Sequence, residues 1–147
     1  MTTRLCSAEQ RLNELGIKLP KPPEPFGTYA EAVQTGNLLF LSGMLPTEGR
    51  SAKFTGRVGA KLDIEAGRKA AYIAAQQHLG TLDRVTRVVR LGVSVATSGD
   101  VRDQPKVADA ASELLQDVFG KERNPSRLIS GVQSLPLGAP VALEIIF

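Results

Sequence analysis

The run Val85 to Ala96, VTRVVRLGVSVA, sets Val89, Leu91, Val93 and Val95 on alternate positions and is rich in β-branched residues, so it reads as a central strand with one buried face. It sits between two helical patterns. In Asp63 to Leu79, Ala66, Ala70, Ile73, Ala74 and Gln77 fall along one side, and Gly80 supplies a C-terminal stop. After the turn Ser98-Gly99-Asp100, Pro105 occupies a first helical turn, and Val107, Ala111, Leu114, Leu115 and Val118 form an apolar stripe ending at Gly120. Alanine brings a helix close to a sheet but contributes little apolar area, so the strands must supply the larger side chains.

Strand patterns lie at both ends of this core. Tyr29 to Val33, the turn Gln34-Thr35-Gly36-Asn37 and Leu38 to Ser42 read as a β-hairpin, with Ser42 and Gly43 closing its second strand. Pro46 to Gly59 reads as a loop with a short strand near Phe54. Near the C-terminus, Leu128, Ser130 and Val132 alternate with Ile129, Gly131 and Gln133. Val141, Leu143 and Ile145 alternate with Ala142, Glu144 and Ile146, and the Pro/Gly loop Leu135 to Pro140 joins the two runs into a second hairpin. The order hairpin, loop, helix, strand, helix, hairpin fits an α+β layer pair, a mixed β-sheet with two helices packed on one face. The other face is left bare, which predicts subunits packed sheet to sheet around a central core.

Ahead of this domain, residues 26–147, stands a segment of different character, residues 1–25. Ser7 and Gln10 form a capping-box pattern, and Leu12, Leu15 and Gly16 mark a short helix with a glycine stop. Leu19 to Pro25, LPKPPEP, is a stiff extended linker, because stacked prolines fix φ and remove amide donors.

At 147 residues the chain is expected to form one main domain and to bury about two thirds of its unfolded surface. No apolar run approaches a membrane span, and the N-terminus MTTRLCSAEQ lacks the apolar core of a secretion signal, so a cytoplasmic protein is expected. The single cysteine, Cys6, makes no internal disulfide, and with one histidine, His78, the chain offers no soft-ligand zinc site. His78 falls near the end of the first long helix, where it suits the helix dipole. Basic clusters at Arg84 to Arg90 and Lys121 to Arg127 offer phosphate contacts, but the chain has no Trp and a net charge of only +3, so nucleic acid is not the expected partner.

Arg127 stands at the start of a strand, and it has two readings. A guanidinium there is either an ordinary solvated charge or a rigid fork that grips a small organic acid bidentately.

Three stretches carry a resemblance: GTYAEAVQTGNLLFLSGMLP at Gly27 to Pro46, the helix–glycine–LDRVTRVVRLGVSVA run within Asp63 to Ala96, and PSRLISGVQSLPLGAPVALE at Pro125 to Glu144. The chain resembles the RidA (YjgF-type) reactive-imine deaminase family, whose older label is endoribonuclease. The resemblance implies a chorismate-mutase-like fold and a homotrimeric, barrel-like assembly with ligand clefts between subunits. It places Arg127 against a substrate carboxylate, with Tyr29, Ser42, Gly43 and Ile129 as further substrate-binding positions. The acid that orients water in deaminating members aligns with Ala142, and a second acidic position of that strand aligns with Glu144, the catalytic candidate beside Arg127. Met44 stands where a polar residue commonly follows the SG pair, and the segment through Pro25 has no counterpart in the short members.

This chemistry needs no metal or cofactor. A protonated 2-imino acid is already electrophilic, so hydrolysis to a 2-oxo acid and ammonia needs a carboxylate anchor, a placed water and an acceptor to orient it. Three functions stay open: an imine or enamine deaminase, a trimer that binds a carboxylate-bearing metabolite without turnover, and an endoribonuclease. The last lacks an acid–base pair at a phosphate.

Overall fold

The structure, a computed structural model, describes residues 7–20, 27–48, 51–79 and 85–147. Gly80, Arg84 and the linker positions 21–25 lie outside the described residues. The described residues contain three α-helices, α1 (Ala8–Glu14), α2 (Ile64–His78) and α3 (Gln104–Phe119). A five-stranded mixed sheet is built from β1 (Ala32–Thr35), β2 (Leu38–Leu41), β5 (Arg90–Ala96), β6 (Ser126–Val132) and β7 (Val141–Ile146), in the order β1-β2-β7-β5-β6. β3 (Thr47–Glu48) and β4 (Ser51–Ala52) form a separate small hairpin ahead of Phe54. No helix among the described residues is long and apolar enough to cross a membrane.

Local chemistry sets the helix starts. Ser7 Oγ accepts from the Gln10 amide at 3.2 Å and Asp63 Oδ1 from the Ala66 amide at 2.8 Å, each satisfying an orphan donor of a first turn. α3 has no side-chain cap and instead carries Pro105 where no amide is needed. Of the expected α2 positions Ala70, Ala74 and Gln77 are buried and Ala66 and Ile73 half-buried, while Gly67, Ala71 and Ala75 widen the buried stripe. Gly67 marks the closest approach to α3, since a Cβ there would stand 3.0 Å from a Val107 methyl. The sheet answers with bulk: Leu91, Val93, Val95, Val141, Leu143 and Ile145 are all at most 2% exposed. Each such side chain contributes about 1.5–3 kcal/mol by leaving water. Both long helices therefore lie on one face, and α1 joins them, with Ala8 and Leu12 buried in the same cluster and Arg11 Nε donating to the Asp117 carbonyl on α3 at 3.2 Å.

Two expectations need correction. The last two strands do not form a hairpin: β5 lies between them, parallel to β6 (Leu91 opposite Arg127) and antiparallel to β7 (Leu91 opposite Ile145). Alternation fixes which side chains share a face but not which strand is the neighbour, and α3 is the crossover that a parallel β5–β6 pair requires. The run from Val85 becomes a strand only at Arg90, and the middle of the sheet belongs to β7.

The first hairpin forms, but its first strand is Ala32–Thr35 rather than Tyr29 to Val33: Gln34 and Thr35 pair with Leu39 and Leu38, and the turn shrinks to two residues, in which Gly36 has φ 56°. β2 then breaks register. Phe40 lies opposite Ile146 but Met44 lies opposite Leu143, so four steps on β2 match three on β7 and one extra residue is accommodated at Ser42–Gly43, a β-bulge.

The second face of the sheet has no cover among the described residues. Val33, Phe40 and Leu128 lie on it at 55%, 39% and 56% exposure, together with Gly92, Ser94, Ala142 and Glu144.

Gly59 provides a test of the packing around the α2–β5 junction. Its φ is 93°, and an added Cβ would stand 2.5 Å from a Val101 methyl and 3.0 Å from the Ser98 carbonyl. Gly59→Ala should cost about 2–3 kcal/mol, lowering Tm by about 5–10 °C in calorimetry, while Gly36→Ala, with open space around it, should cost less than half as much.

Candidate functional site

Arg127 is the second residue of β6, an edge strand, and its side chain points to the helix-covered side together with Ile129 and Gly131. There it meets α3. Nη1 donates to Asp109 Oδ1 at 2.7 Å and to Ser112 Oγ at 3.0 Å. Asp109 and Ser112 are three apart on a helix, hence on one face, and the crossover from α3 into β6 lays that face along the strand. Neither was visible as a site residue in the sequence, because the i, i+3 spacing sits on the polar side of the apolar stripe and points nowhere until α3 is docked.

Only one end of the fork is used. Nη1 has two N–H groups and both are taken, while Nε and Nη2 donate to no group among the described residues. The pair is half in water, with side-chain exposures of 27% for Arg127 and 46% for Asp109. It borders a pocket of about 340 Å³ whose other walls are Glu113, Gln116, Asn124 and Pro125. Asn124 Nδ2 donates to Gln116 Oε1 at 3.0 Å, linking the strand entry to the helix within the same lining. The three N–H groups on Nε and Nη2 of an arginine that lines an open pocket suit a planar anion.

A larger groove, about 490 Å³, runs along the outer side of α2 and α3 past Phe54, Arg68 and Tyr72. Its arginine is committed: Arg68 Nη1 donates to the Lys106 carbonyl and Nη2 to Glu113 Oε2 at 3.0 Å. Two residues of the basic clusters are held by main-chain carbonyls: Arg123 Nη1 donates to the Thr86 carbonyl at 2.8 Å and Arg87 Nη2 to the Asn124 carbonyl at 3.4 Å, which ties the two segments together.

The remaining candidates lie elsewhere. Tyr29, 47% exposed, precedes β1 at the opposite edge of the sheet. Ser42 Oγ donates to the Ala30 carbonyl at 2.6 Å, and the Ser42 amide continues the β1–β2 ladder to the Glu31 carbonyl at 3.0 Å. Gly43 lies in the bulge beside Leu143, where an added Cβ would meet the Leu143 carbonyl at 3.8 Å. Glu144 stands on the uncovered face opposite Gly92, and Ala142 on the same face opposite Ser94. An added Cβ at Gly92 would meet the Glu144 Cβ at 3.6 Å.

Within one chain these residues fall into two separate sets. Arg127 and Ile129 lie on the helix side of one edge, and Glu144, Ser42 and Tyr29 lie on the other side or toward the other edge. Four strand spacings of about 4.8 Å separate β1 from β6, roughly 19 Å, which exceeds the length of a small acid.

Comparison with known proteins places this geometry. Residues 9–147 match the family model described as "YjgF/chorismate mutase-like, putative endoribonuclease". Protein TCP17 of Trypanosoma cruzi is 40% identical over 141 residues, covering 90% of this chain and 88% of that protein. A 2-iminobutanoate/2-iminopropanoate deaminase of Dermatophagoides farinae is 28% identical over 130 residues, covering 88% of this chain and 92% of its own. A crystal structure from Shewanella oneidensis, carrying the endoribonuclease label, superposes with a TM-score of 0.88 at 26% identity over 96% of this chain and 98% of that one. With its mixed sheet, one-sided helices and near-complete match, the chain belongs to the YjgF/RidA family.

Proposed function

We propose that this protein binds a small 2-imino or 2-oxo acid through the free Nε–Nη2 edge of Arg127, in a cleft completed by a neighbouring copy of the chain, and hydrolyses the imine. The observation that carries this reading is the half-used fork, anchored through Nη1 to α3 and facing a pocket at an unpaired sheet edge. The division into half-sites supports the second copy. A closed ring that brings the β6 edge of one subunit to the β1–β2 edge of the next unites Arg127 with Tyr29, Ser42 and Glu144, and it covers Val33, Phe40 and Leu128. Three copies are the expected number, in keeping with the family.

In that cleft the substrate carboxylate takes two parallel N–H donors from Arg127, which fixes the 2-carbon in position. Glu144 accepts a hydrogen bond from a water and directs its oxygen at the imine carbon. The water adds to C=N, the nitrogen gains protons, and collapse of the resulting carbinolamine releases ammonia and leaves the 2-oxo acid. Charge stays on the carboxylate throughout, so no metal is needed to hold it.

A second reading, binding without turnover, is favoured by Ala142. The position where the family resemblance expects the water-orienting acid carries a methyl group here, and Glu144 lies one pleat repeat further along.

Two measurements separate the readings. With 2-iminobutanoate generated in situ, the protein should accelerate its decay, and Arg127→Ala and Glu144→Gln should each lower kcat/KM by about 100-fold or more. Unchanged decay alongside calorimetric binding of 2-oxobutanoate that Arg127→Ala abolishes would support the sensor and sink the deaminase. Since the Arg127–Asp109 pair is half-exposed, Arg127→Ala should lower the unfolding free energy measured in urea by no more than about 1 kcal/mol, so lost activity cannot be charged to unfolding. Light scattering should give three times 15.7 kDa, and Leu128→Asp on the uncovered face should yield monomers that have lost activity.

A further inference from the structure

Asp109 puts a carboxylate beside the place where the substrate's own carboxylate must go, which is costly unless it serves selection. It accepts from Nη1 at 2.7 Å, lines the same pocket, and has Glu113 for a neighbour there. Glu113 is balanced by Arg68 at 3.0 Å. Arg127 is therefore the pocket's one cation among its described lining residues, and Asp109 already balances it. A ligand with a single carboxylate makes the group Arg127, Asp109 and ligand carry one net negative charge. A ligand with two carboxylates adds a further negative charge, with no second cation in the pocket to meet it.

Ser112 has a different part. Its Oγ takes the other Nη1 hydrogen at 3.0 Å, so the two α3 side chains together occupy Nη1 and fix the plane of the guanidinium. Only the side-on Nε–Nη2 edge is left for the ligand.

We infer that Asp109 is a specificity-determining residue of the Arg127 site: it holds the guanidinium in place and, through its charge, restricts the ligand to acids with one carboxylate. Ser112 is a positioning residue that orients the fork without discriminating by charge. The inference rests on Arg127 being the carboxylate anchor.

The test is calorimetric titration of the intact protein with 2-oxopentanoate and 2-oxoglutarate, which share a five-carbon chain and differ by one carboxylate. The wild type should bind 2-oxopentanoate at least about tenfold more tightly, a difference of ~1.4 kcal/mol. Asp109→Asn keeps an oxygen acceptor for Nη1 but removes the charge, and it should cut that preference at least about fivefold by tightening 2-oxoglutarate. Raising the salt concentration should narrow the wild-type preference and leave that of Asp109→Asn nearly unchanged. Ser112→Ala should weaken both ligands alike and keep their ratio. If Asp109→Asn leaves the ratio unchanged while Arg127→Ala abolishes both titrations, the anchor stands and Asp109 is an ordinary ion pair. If Arg127→Ala binds both acids as the wild type does, the anchor itself is lost, and this inference with it.

Discussion

The structure depends on β5 being hydrogen-bonded on both sides, parallel to β6 and antiparallel to β7, while α2 and α3 cover one of its faces. A parallel neighbour requires a crossover, and α3 is that crossover. The same connection that buries Leu114, Leu115 and Val118 carries Asp109 and Ser112 to the side of Arg127. Core and candidate site are thus two sides of one helix, the apolar stripe facing inward and the polar positions meeting the edge strand.

This arrangement explains why the functional groups are divided. One face of the sheet is used up by the helices, so Glu144 and Ser94 can only project from the other, and the open edges at β1 and β6 are the only places where the two faces come near each other. The pocket of about 340 Å³ beside α3 lies at one of these edges, and Arg127 borders it with its Nη1 held by Asp109 and Ser112.

Much of this was legible in the sequence. Ser7 caps the helix it precedes, Pro105 opens α3, and Gly36 turns the first hairpin, because each is a local demand met by neighbouring residues. Strand adjacency was not legible. Leu128 to Val132 and Val141 to Ile146 have the alternation of a hairpin, and nothing in either run reveals that β5 is inserted between them. The same limit applied to Arg127: period two grouped it with Ile129 and Gly131, but which side of the sheet that was, and that Asp109 would wait there, depended on where α3 packs. The α2 stripe was legible at Ala70, Ala74 and Gln77 but not at Gly67, Ala71 and Ala75, because alanines on adjacent faces of a helix look alike until the docked α3 shows which of them it covers.

The bulge at Ser42–Gly43 sets a constraint on length rather than on residue type. Leu41 and Met44, three apart, both turn toward the helices only because one extra residue is absorbed between them. Removing either Ser42 or Gly43 would restore the regular pleat, and everything on one side of the cut would have to slip by one position or reverse its face. Substitution at these sites alters a surface; a single-codon deletion would force a choice between the first hairpin and the β7 pairing. The short stretch from Phe40 to Met44 is therefore a ruler, and descent from a common ancestor should have preserved its count of residues more strictly than their identities.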